Sequence, residues 1–185
     1  MQNDLSSEYK EEIEQEINAT FGNLISFARD TDLEVGLAKK YIPGLIIREP
    51  GYTDVSYKIG GMVTSHRYFI LSNYMKDFSA FDKESKWGLC VATPNARYKV
   101  LGTYSIGGKT AIFLLHLPED GDLWKIVKES SILLETVLLK KAVLQFKYTY
   151  NLPSVPELTT EEWLNRCAKP LGIDDNGDFF ALEVY

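Results

Sequence analysis

Cysteine is scarce in this chain, which contains only Cys90 and Cys167. The two are far apart in the sequence, and neither belongs to a CxxC pair. This argues against both a disulfide framework and a zinc site built from paired thiolates. We therefore expect a protein of a reducing compartment, with no metal and no cofactor.

Long hydrophobic runs are also missing. The longest uninterrupted run near the middle covers residues 111–115, whereas a spanning helix needs about 20 apolar residues. The chain opens on MQNDLSSEYKEEIEQE, which is acidic where a secretory signal carries a positive charge followed by an apolar run. These patterns predict a cytoplasmic protein that does not contact a membrane.

Clustered positive charge is the third absence. The chain has 20 Lys and Arg against 26 Asp and Glu, a net charge of −6, and its only adjacent lysines are Lys39-Lys40 and Lys140-Lys141. Nucleic-acid binding needs clustered Lys and Arg to neutralise phosphates, so we expect no nucleic-acid partner. The acidic residues concentrate towards both ends of the chain, which favours an acidic surface facing a basic protein partner.

What the chain does contain is enough apolar material for a core. Hydrophobic residues make up 45% of the sequence and aromatic residues 12%, as in folded globular proteins. A length of 185 residues fits a single domain, 1–185. Near the start, apolar residues recur every three or four positions, which predicts an amphipathic helix that continues to Ala28.

Residues 45–117 have the pattern of β-structure, and a long apolar segment follows. The predicted strands are 45–48, 55–59, 62–71, 87–92, 98–106 and 109–117, and a last strand is expected at 179–184. Glycine pairs, Gly60-Gly61 and Gly107-Gly108, predict two hairpin turns. We therefore expect an α+β fold in which an antiparallel sheet of about five to seven strands packs against an N-terminal helix and a long apolar helix.

The long helix is predicted to begin near Asp120 and to end near Asn151. Because apolar residues cover most of its circumference, it is either central in the fold or the interface of a homodimer formed through residues 120–150. A shorter helix should follow, capped by Thr159 with Glu162 three positions later.

The segment GTYSIGGKT, residues 102–110, resembles a phosphate-binding loop only at first sight. The G-x-x-x-x-G-K-[ST] pattern needs a glycine at position 103, which is Thr103, and a helix after Thr110, where AIFLLHLP has the pattern of a strand. The segment therefore predicts the Gly107-Gly108 hairpin and no nucleotide loop of that class.

Candidate chemistry rests on few residues. His66 and His116 lie in predicted strands, where a histidine can shuttle protons near neutral pH or simply pack with a hydrogen bond. Cys90 could pair with either histidine, although nothing around it marks an activated thiolate. The run Asp174-x-Asn176-x-Asp178 has the spacing of the first ligands of a calcium loop but lacks the later ones. No catalytic residue is assigned, and the binding candidates are His66, Arg67, Tyr68 and His116.

The sequence is compatible with two functions. The first is a non-catalytic cytosolic binding protein, of the inhibitor or immunity type, that docks a protein partner through its acidic surface. The alternative is a small hydrolase or transferase that uses His66, His116 or Cys90 in a cleft over the sheet.

Overall fold

The computed structural model describes residues 7–80, 86–119 and 132–180 of the chain. Within these ranges it is an α+β fold with three α-helices and eight strands in one sheet. The helices are α1 (Ser7–Phe21), α2 (Ile132–Tyr150) and α3 (Glu161–Arg166). The strands are β1 (Ile25–Thr31), β2 (Ile46–Glu49), β3 (Thr53–Ser56), β4 (His66–Ser72), β5 (Lys76–Asp77), β6 (Leu89–Ala92), β7 (Ala96–Ile106) and β8 (Lys109–His116).

The sheet is larger than expected and mixed. Its strand order is β2-β7-β8-β4-β1-β3-β6-β5, and all neighbours are antiparallel except β4 and β8. The prediction of a wholly antiparallel sheet of five to seven strands is therefore wrong in two respects. The parallel pair arises because the polypeptide leaves β4, forms β5 to β7, and returns to the open edge of β4 only with β8.

The N-terminal helix is predicted to continue to Ala28, and the structure corrects this, because Ile25–Thr31 form strand β1. The helix ends at Phe21, and Gly22 follows with φ +71° and donates its amide to the Asn18 carbonyl. A left-handed glycine at this position is a common helix terminator. The apolar spacing of Leu24 and Ala28 happened to continue the helical stripe, which concealed the change to a strand.

The two glycine pairs behave differently. Gly107 and Gly108 have φ of 55° and 77° and join β7 to β8 as predicted. Gly60-Gly61 is not a hairpin turn, because the strand before it pairs with β1 and β6 and never with β4. Here the absence of a side chain permits close packing instead: a Cβ at Gly60 would lie 2.6 Å from the Pro153 carbonyl oxygen.

The sheet must curl strongly, and a short connection shows why. Strands β2 and β3 are five places apart in the strand order, which in a flat sheet is about 24 Å. Only residues 50–52 join them, and Glu49 to Thr53 spans at most about 14 Å even when fully extended. The bend falls between β1 and β3, which share the single pair Ala28 and Ser56. The edge strand β2 is thereby brought back towards β3.

Each face of the curled sheet has its own core. Helices α1 and α2 cover one face together, as predicted, with Ile17, Phe21, Leu138 and Phe146 packed onto side chains such as Phe113. The concave face is covered by residues 33–45 and by the segment after α3, around Tyr68, Tyr98 and Ile112.

The helix α2 buries only one face, so the prediction of a long helix that is apolar over most of its circumference and buried for that reason is not confirmed. It buries Leu134, Leu138, Ala142 and Phe146, and it exposes polar residues together with Leu144 and Tyr148. The predicted start near Asp120 lies outside the described residues, as does most of the predicted last strand. The cap of α3 is Thr160, whose hydroxyl accepts the Trp163 amide, one position later than expected.

The hairpin glycines yield a matched pair of substitutions. Gly107→Ala and Gly108→Ala should each cost about 1–2 kcal/mol of unfolding free energy, because both residues have positive φ. A Cβ at Gly107 would also overlap the Tyr150 hydroxyl, whereas one at Gly108 meets nothing within 4 Å. We expect Gly107→Ala to cost roughly 1–3 kcal/mol more, and Tyr150→Phe to relieve much of that excess in the double variant. Urea unfolding of the four variants measures this, and equal costs for the two glycines would contradict it.

Candidate ligand-binding groove

A groove of 930 Å³ opens where the connection between β2 and β3 crosses the mouth of the curled sheet. Its volume is within the range of small-molecule sites. One wall is formed by Glu49 and Tyr52, and another by the loop after β1. The third is the segment that follows α3.

That segment, residues 167–173, is called the strap here. It has no regular secondary structure, and five side chains from the sheet and from the β1–β2 connection form hydrogen bonds with its backbone. The bonds are Thr31 Oγ1 to the Ala168 carbonyl (3.2 Å), Arg29 Nη2 to the Lys169 carbonyl (3.1 Å), the Leu171 amide to Tyr68 Oη (3.1 Å), Tyr41 Oη to the Leu171 carbonyl (2.7 Å) and the Gly172 amide to Glu49 Oε2 (2.8 Å). A buried irregular segment needs such partners, because an unpaired backbone group is costly.

Arg29 is the charged group at the floor of the groove. Its side chain lies on the concave face, and the residue is only 5% exposed. Its Nη1 donates to the Asp54 carbonyl and its Nη2 to the Lys169 carbonyl, both at 3.1 Å, while Nε has no partner. Among the described residues, no carboxylate forms an ion pair with it. A buried guanidinium without a counter-ion is a costly arrangement that an anionic ligand would relieve.

Three carboxylates near Arg29 and the groove are engaged with other partners. Glu49 accepts the amides of Gly51 (3.1 Å) and Gly172 (2.8 Å). Asp54 pairs with Arg166 at 2.6 Å. At the rim, Asp174 accepts the amides of two residues of its own turn, which hold the pKa of its carboxyl low.

Two tyrosines lie beneath the strap. The hydroxyls of Tyr41 and Tyr68 are 2.7 Å apart, and their rings meet edge to face. Burial raises the pKa of Tyr68 to about 12, and burial together with the Tyr68 hydroxyl raises the pKa of Tyr41 further. Both phenols are therefore neutral at physiological pH and act as hydrogen-bonding groups.

His66 lies near the groove but is not part of a catalytic triad. Its Nδ1 is 2.7 Å from Ser65 Oγ and receives the Leu33 amide at 3.4 Å, and burial lowers its pKa. Asp32 accepts the Ser65 amide at 2.7 Å and makes no hydrogen bond to the imidazole. A triad needs the carboxylate to orient the histidine ring, and this cluster lacks that bond.

Arg67 and Tyr68 are buried in different cores. Arg67 makes two bonds to the Asp30 carboxylate, at 2.6 and 2.7 Å, and donates to the Gly60 carbonyl at 2.9 Å. Its guanidinium is thus neutralised within the fold. Tyr68 points to the concave face and reaches the strap. The structure places them on opposite faces, as neighbouring residues of a strand must be.

His116 lies at the far end of the sheet from His66. Its Nδ1 is 2.8 Å from Ser72 Oγ, its Nε2 is buried without a partner, and its ring packs between Tyr74 and Tyr98. His66 pairs with Thr110, so His116 is six residues further along β8, or about 20 Å away. Cys90 is buried in the concave core, where burial raises the pKa of its thiol to about 11. His66, His116 and Cys90, the candidates of the hydrolase or transferase hypothesis, therefore do not form one site.

Arg29 is the residue that sequence reasoning missed. Along β1 it lies on the same face as Phe27 and Thr31, because side chains two residues apart on a strand point the same way. This period of two was the available signal that a cation faces the concave core. Among the described residues, no three His, Cys, Asp or Glu side chains are grouped to hold a metal ion. None of the described helices has the length and apolar character to cross a membrane.

No protein-family model matches this chain, and no curated protein matches it in sequence. Solved structures do match part of it. The Vis toxin of Vibrio splendidus, an ADP-ribosyltransferase, is 14% identical with a TM-score of 0.42, over 62% of this chain and 59% of that one. The ADP-ribosyltransferase HopU1 of Pseudomonas syringae is 10% identical with a TM-score of 0.46, over 51% and 46%.

Exoenzyme S of Pseudomonas aeruginosa, solved with a human 14-3-3 protein and carba-NAD, is 15% identical with a TM-score of 0.46, over 72% of this chain and 69% of that one. This chain therefore spans less than two thirds of Vis and HopU1. At such low identity, no residue role is transferred from these proteins.

These matches correct the first functional expectation. Vis and HopU1 are named as ADP-ribosyltransferases, and this contradicts the prediction of a non-catalytic protein-binding module of the inhibitor or immunity type. That prediction rested on the acidic ends of the chain and on the absence of a catalytic motif, neither of which distinguishes a binding protein from an enzyme. The cytoplasmic location and the homodimer stay predictions.

His116 generates a prediction about stability and pH. Burial lowers its pKa to about 4, against about 6.5 in an unfolded chain. As the pH falls from 7 to 4, the unfolded state binds a proton that the folded state does not. The unfolding free energy should therefore fall by roughly 3 kcal/mol from this residue alone.

His116→Gln removes that titration and should flatten the loss of stability between pH 7 and 4, as measured by urea unfolding. His66→Gln is the matched control and should change the profile less, because His66 is only partly buried. A pH profile unaltered by His116→Gln would contradict the assignment of a neutral buried imidazole.

Proposed function

We propose that this chain is a transferase that binds a nucleotide in the groove beneath the β2–β3 connection. The observation that carries the proposal is Arg29, a guanidinium that is 5% exposed, lines the groove and has no carboxylate partner among the described residues. Guanidinium forks bind phosphate oxygens through paired N–H donors, and such bonds are strongest where water is excluded.

The wall formed by Glu49 and Tyr52 supplies hydrogen-bond acceptors for a ligand. Each oxygen of Glu49 accepts one backbone amide, which fixes the carboxylate beside the groove. An ionised carboxylate has about four lone-pair directions, so two remain for hydroxyl groups of a bound sugar. A cation at the floor and a fixed acceptor at the wall suit a ligand that carries both phosphate and hydroxyl groups.

Tyr52 offers a surface for a planar base. It stands in the connection over the groove, and it is 67% exposed, which is high for so large an aromatic side chain. Nucleobases stack on exposed aromatic rings with about 1–3 kcal/mol per base. Leu33 and Pro50 extend the apolar part of the lining.

Arg29 should dominate the affinity for phosphate. Arg29→Lys keeps the charge but loses the fork, and we expect about 10- to 100-fold weaker binding of ADP by isothermal titration calorimetry, the loss of one or two charge-assisted hydrogen bonds. Arg48→Lys is the control, since Arg48 lies on β2 and bonds to Asn95, and it should bind as the wild type does. Equal affinities for the two variants would overturn the proposed site.

A substitution at Tyr52 should distinguish the contribution of base stacking from that of phosphate binding. Tyr52→Ala should weaken ADP about 5- to 100-fold by loss of stacking, while the affinity for inorganic pyrophosphate stays unchanged. The same titrations measure both ligands. An equal loss for pyrophosphate would mean that the substitution disturbs the groove and would contradict a stacking role.

The transfer step needs its own assay. Exoenzyme S was solved with carba-NAD, so NAD⁺ is the first substrate to test, by release of nicotinamide and by labelling of added protein acceptors. We expect turnover that Arg29→Lys reduces at least 10-fold through the loss of ligand affinity. Tight ADP binding without turnover of NAD⁺ would refute ADP-ribosyl transfer and leave a nucleotide-dependent reaction of another kind.

A further inference from the structure

The strap, residues 167–173, is held on the sheet in an unusual way. Its backbone is bonded by five different side chains, of which four belong to β1, β2 and β4 and the fifth, Tyr41, to the connection between β1 and β2. Backbone hydrogen bonds in folded proteins mostly join backbone to backbone. Backbone partners bond the strap only towards its two ends, at Cys167, Ala168 and Gly172, so its middle can lift without breaking a strand or a helix.

One of these contacts occupies the site described above. The Lys169 carbonyl oxygen accepts Arg29 Nη2 at 3.1 Å, and Arg29 is only 5% exposed. A phosphate oxygen that used the same N–H would have to displace this carbonyl. The strap and a phosphate-bearing ligand therefore compete for one donor.

The ends of the strap are fixed independently of Arg29. Before it, α3 is anchored by buried Trp163 and by the Arg166–Asp54 ion pair. At its other end, Ile173 pairs with Phe179. Asp174 then accepts the amides of Asn176, Gly177 and Asp178 and donates its own amide to the Asp178 carbonyl. Opening would therefore be local, a lifting of the middle of the strap between two held ends.

The closed arrangement also has an apolar anchor. Leu171 is 1% exposed in the concave core, and both its burial and the hydrogen bonds to the strap stabilise the closed arrangement. Ordering the strap opposes these contributions. The resting state is therefore closed.

We infer that the strap is an autoinhibitory segment that blocks Arg29 until it is released. Its effect on ligand affinity rests on the proposed function, but its control of access to Arg29 does not. Anything that stabilises the lifted strap would increase the apparent affinity of the groove, because only the open fraction of molecules binds.

The test is to weaken the strap without touching the groove. Thr31→Val and Tyr41→Phe together remove its bonds at Ala168 and Leu171 and leave Arg29 intact. The matched control is Thr149→Val with Tyr104→Phe. Thr149 is also buried and bonds to a carbonyl, but within its own helix, and Tyr104 packs on the helix-covered face. Circular dichroism checks that each variant folds. If the double variant does not fold, the single variant Thr31→Val replaces it.

Two readouts use the ligand-free protein. Amide hydrogen exchange at Leu171 and Gly172 reports opening of the strap, and phenylglyoxal modification followed by mass spectrometry reports access to Arg29. We expect both to increase about 10- to 30-fold in the weakened variant, and neither to change in the control. Faster amide exchange with Arg29 still protected would overturn the inference, as would an Arg29 that reacts as fast in the wild type as in the variant.

A third readout separates the two proposals. If strap and ligand compete, the weakened variant should bind ADP up to about 10- to 30-fold more tightly than the wild type. Free Arg29 with unchanged or weaker ADP binding would refute competition at the groove. Free Arg29 with no ADP binding in any variant would refute the proposed function and leave the strap as the gate of Arg29 itself.

Discussion

The short connection between β2 and β3 is the constraint on which the rest of the structure depends. Residues 50–52 are too few to cross a flat sheet of this strand order, so the sheet has to bend where β1 and β3 share a single residue pair. The bend makes one face concave and draws β2 back over it. The groove is the opening that remains at the mouth of the curl, and the connection itself supplies Tyr52 to its wall.

The bend also explains why the two faces differ in chemistry. The face under α1 and α2 is covered by regular helices, whose backbone is already satisfied, and its largely apolar core includes the Arg67–Asp30 and Lys99–Glu135 ion pairs. The concave face is covered by irregular chain, which needs hydrogen-bond partners for its own backbone. Arg29, Tyr41 and Tyr68 supply them from below. The same polar side chains are what equip this face to hold a ligand.

Much of the sheet could be predicted from the sequence. Apolar runs bounded by turn residues located six of its eight strands to within a few residues, and Gly107-Gly108 fixed the β7–β8 hairpin. The hairpin predicted at Gly60-Gly61 was wrong, because a glycine pair permits close packing as well as a turn. Here the pair packs against the loop after α2. The prediction that His66 and His116 share a catalytic site was wrong, because a strand pattern does not show how neighbouring strands are aligned. In the structure the two histidines lie at opposite ends of the β4–β8 pair.

Local pattern alone therefore determined the α+β class and most strand positions, because side-chain periodicity and turn residues act between near neighbours. Only the tertiary structure decided the parallel β4–β8 pair, the curl, and the burial of Arg29 beneath the strap. Each of these joins segments distant in the sequence: Arg29 and Lys169 are 140 residues apart. Whether a cation is paired depends on the three-dimensional positions of every carboxylate around it, and no spacing along the chain encodes those positions.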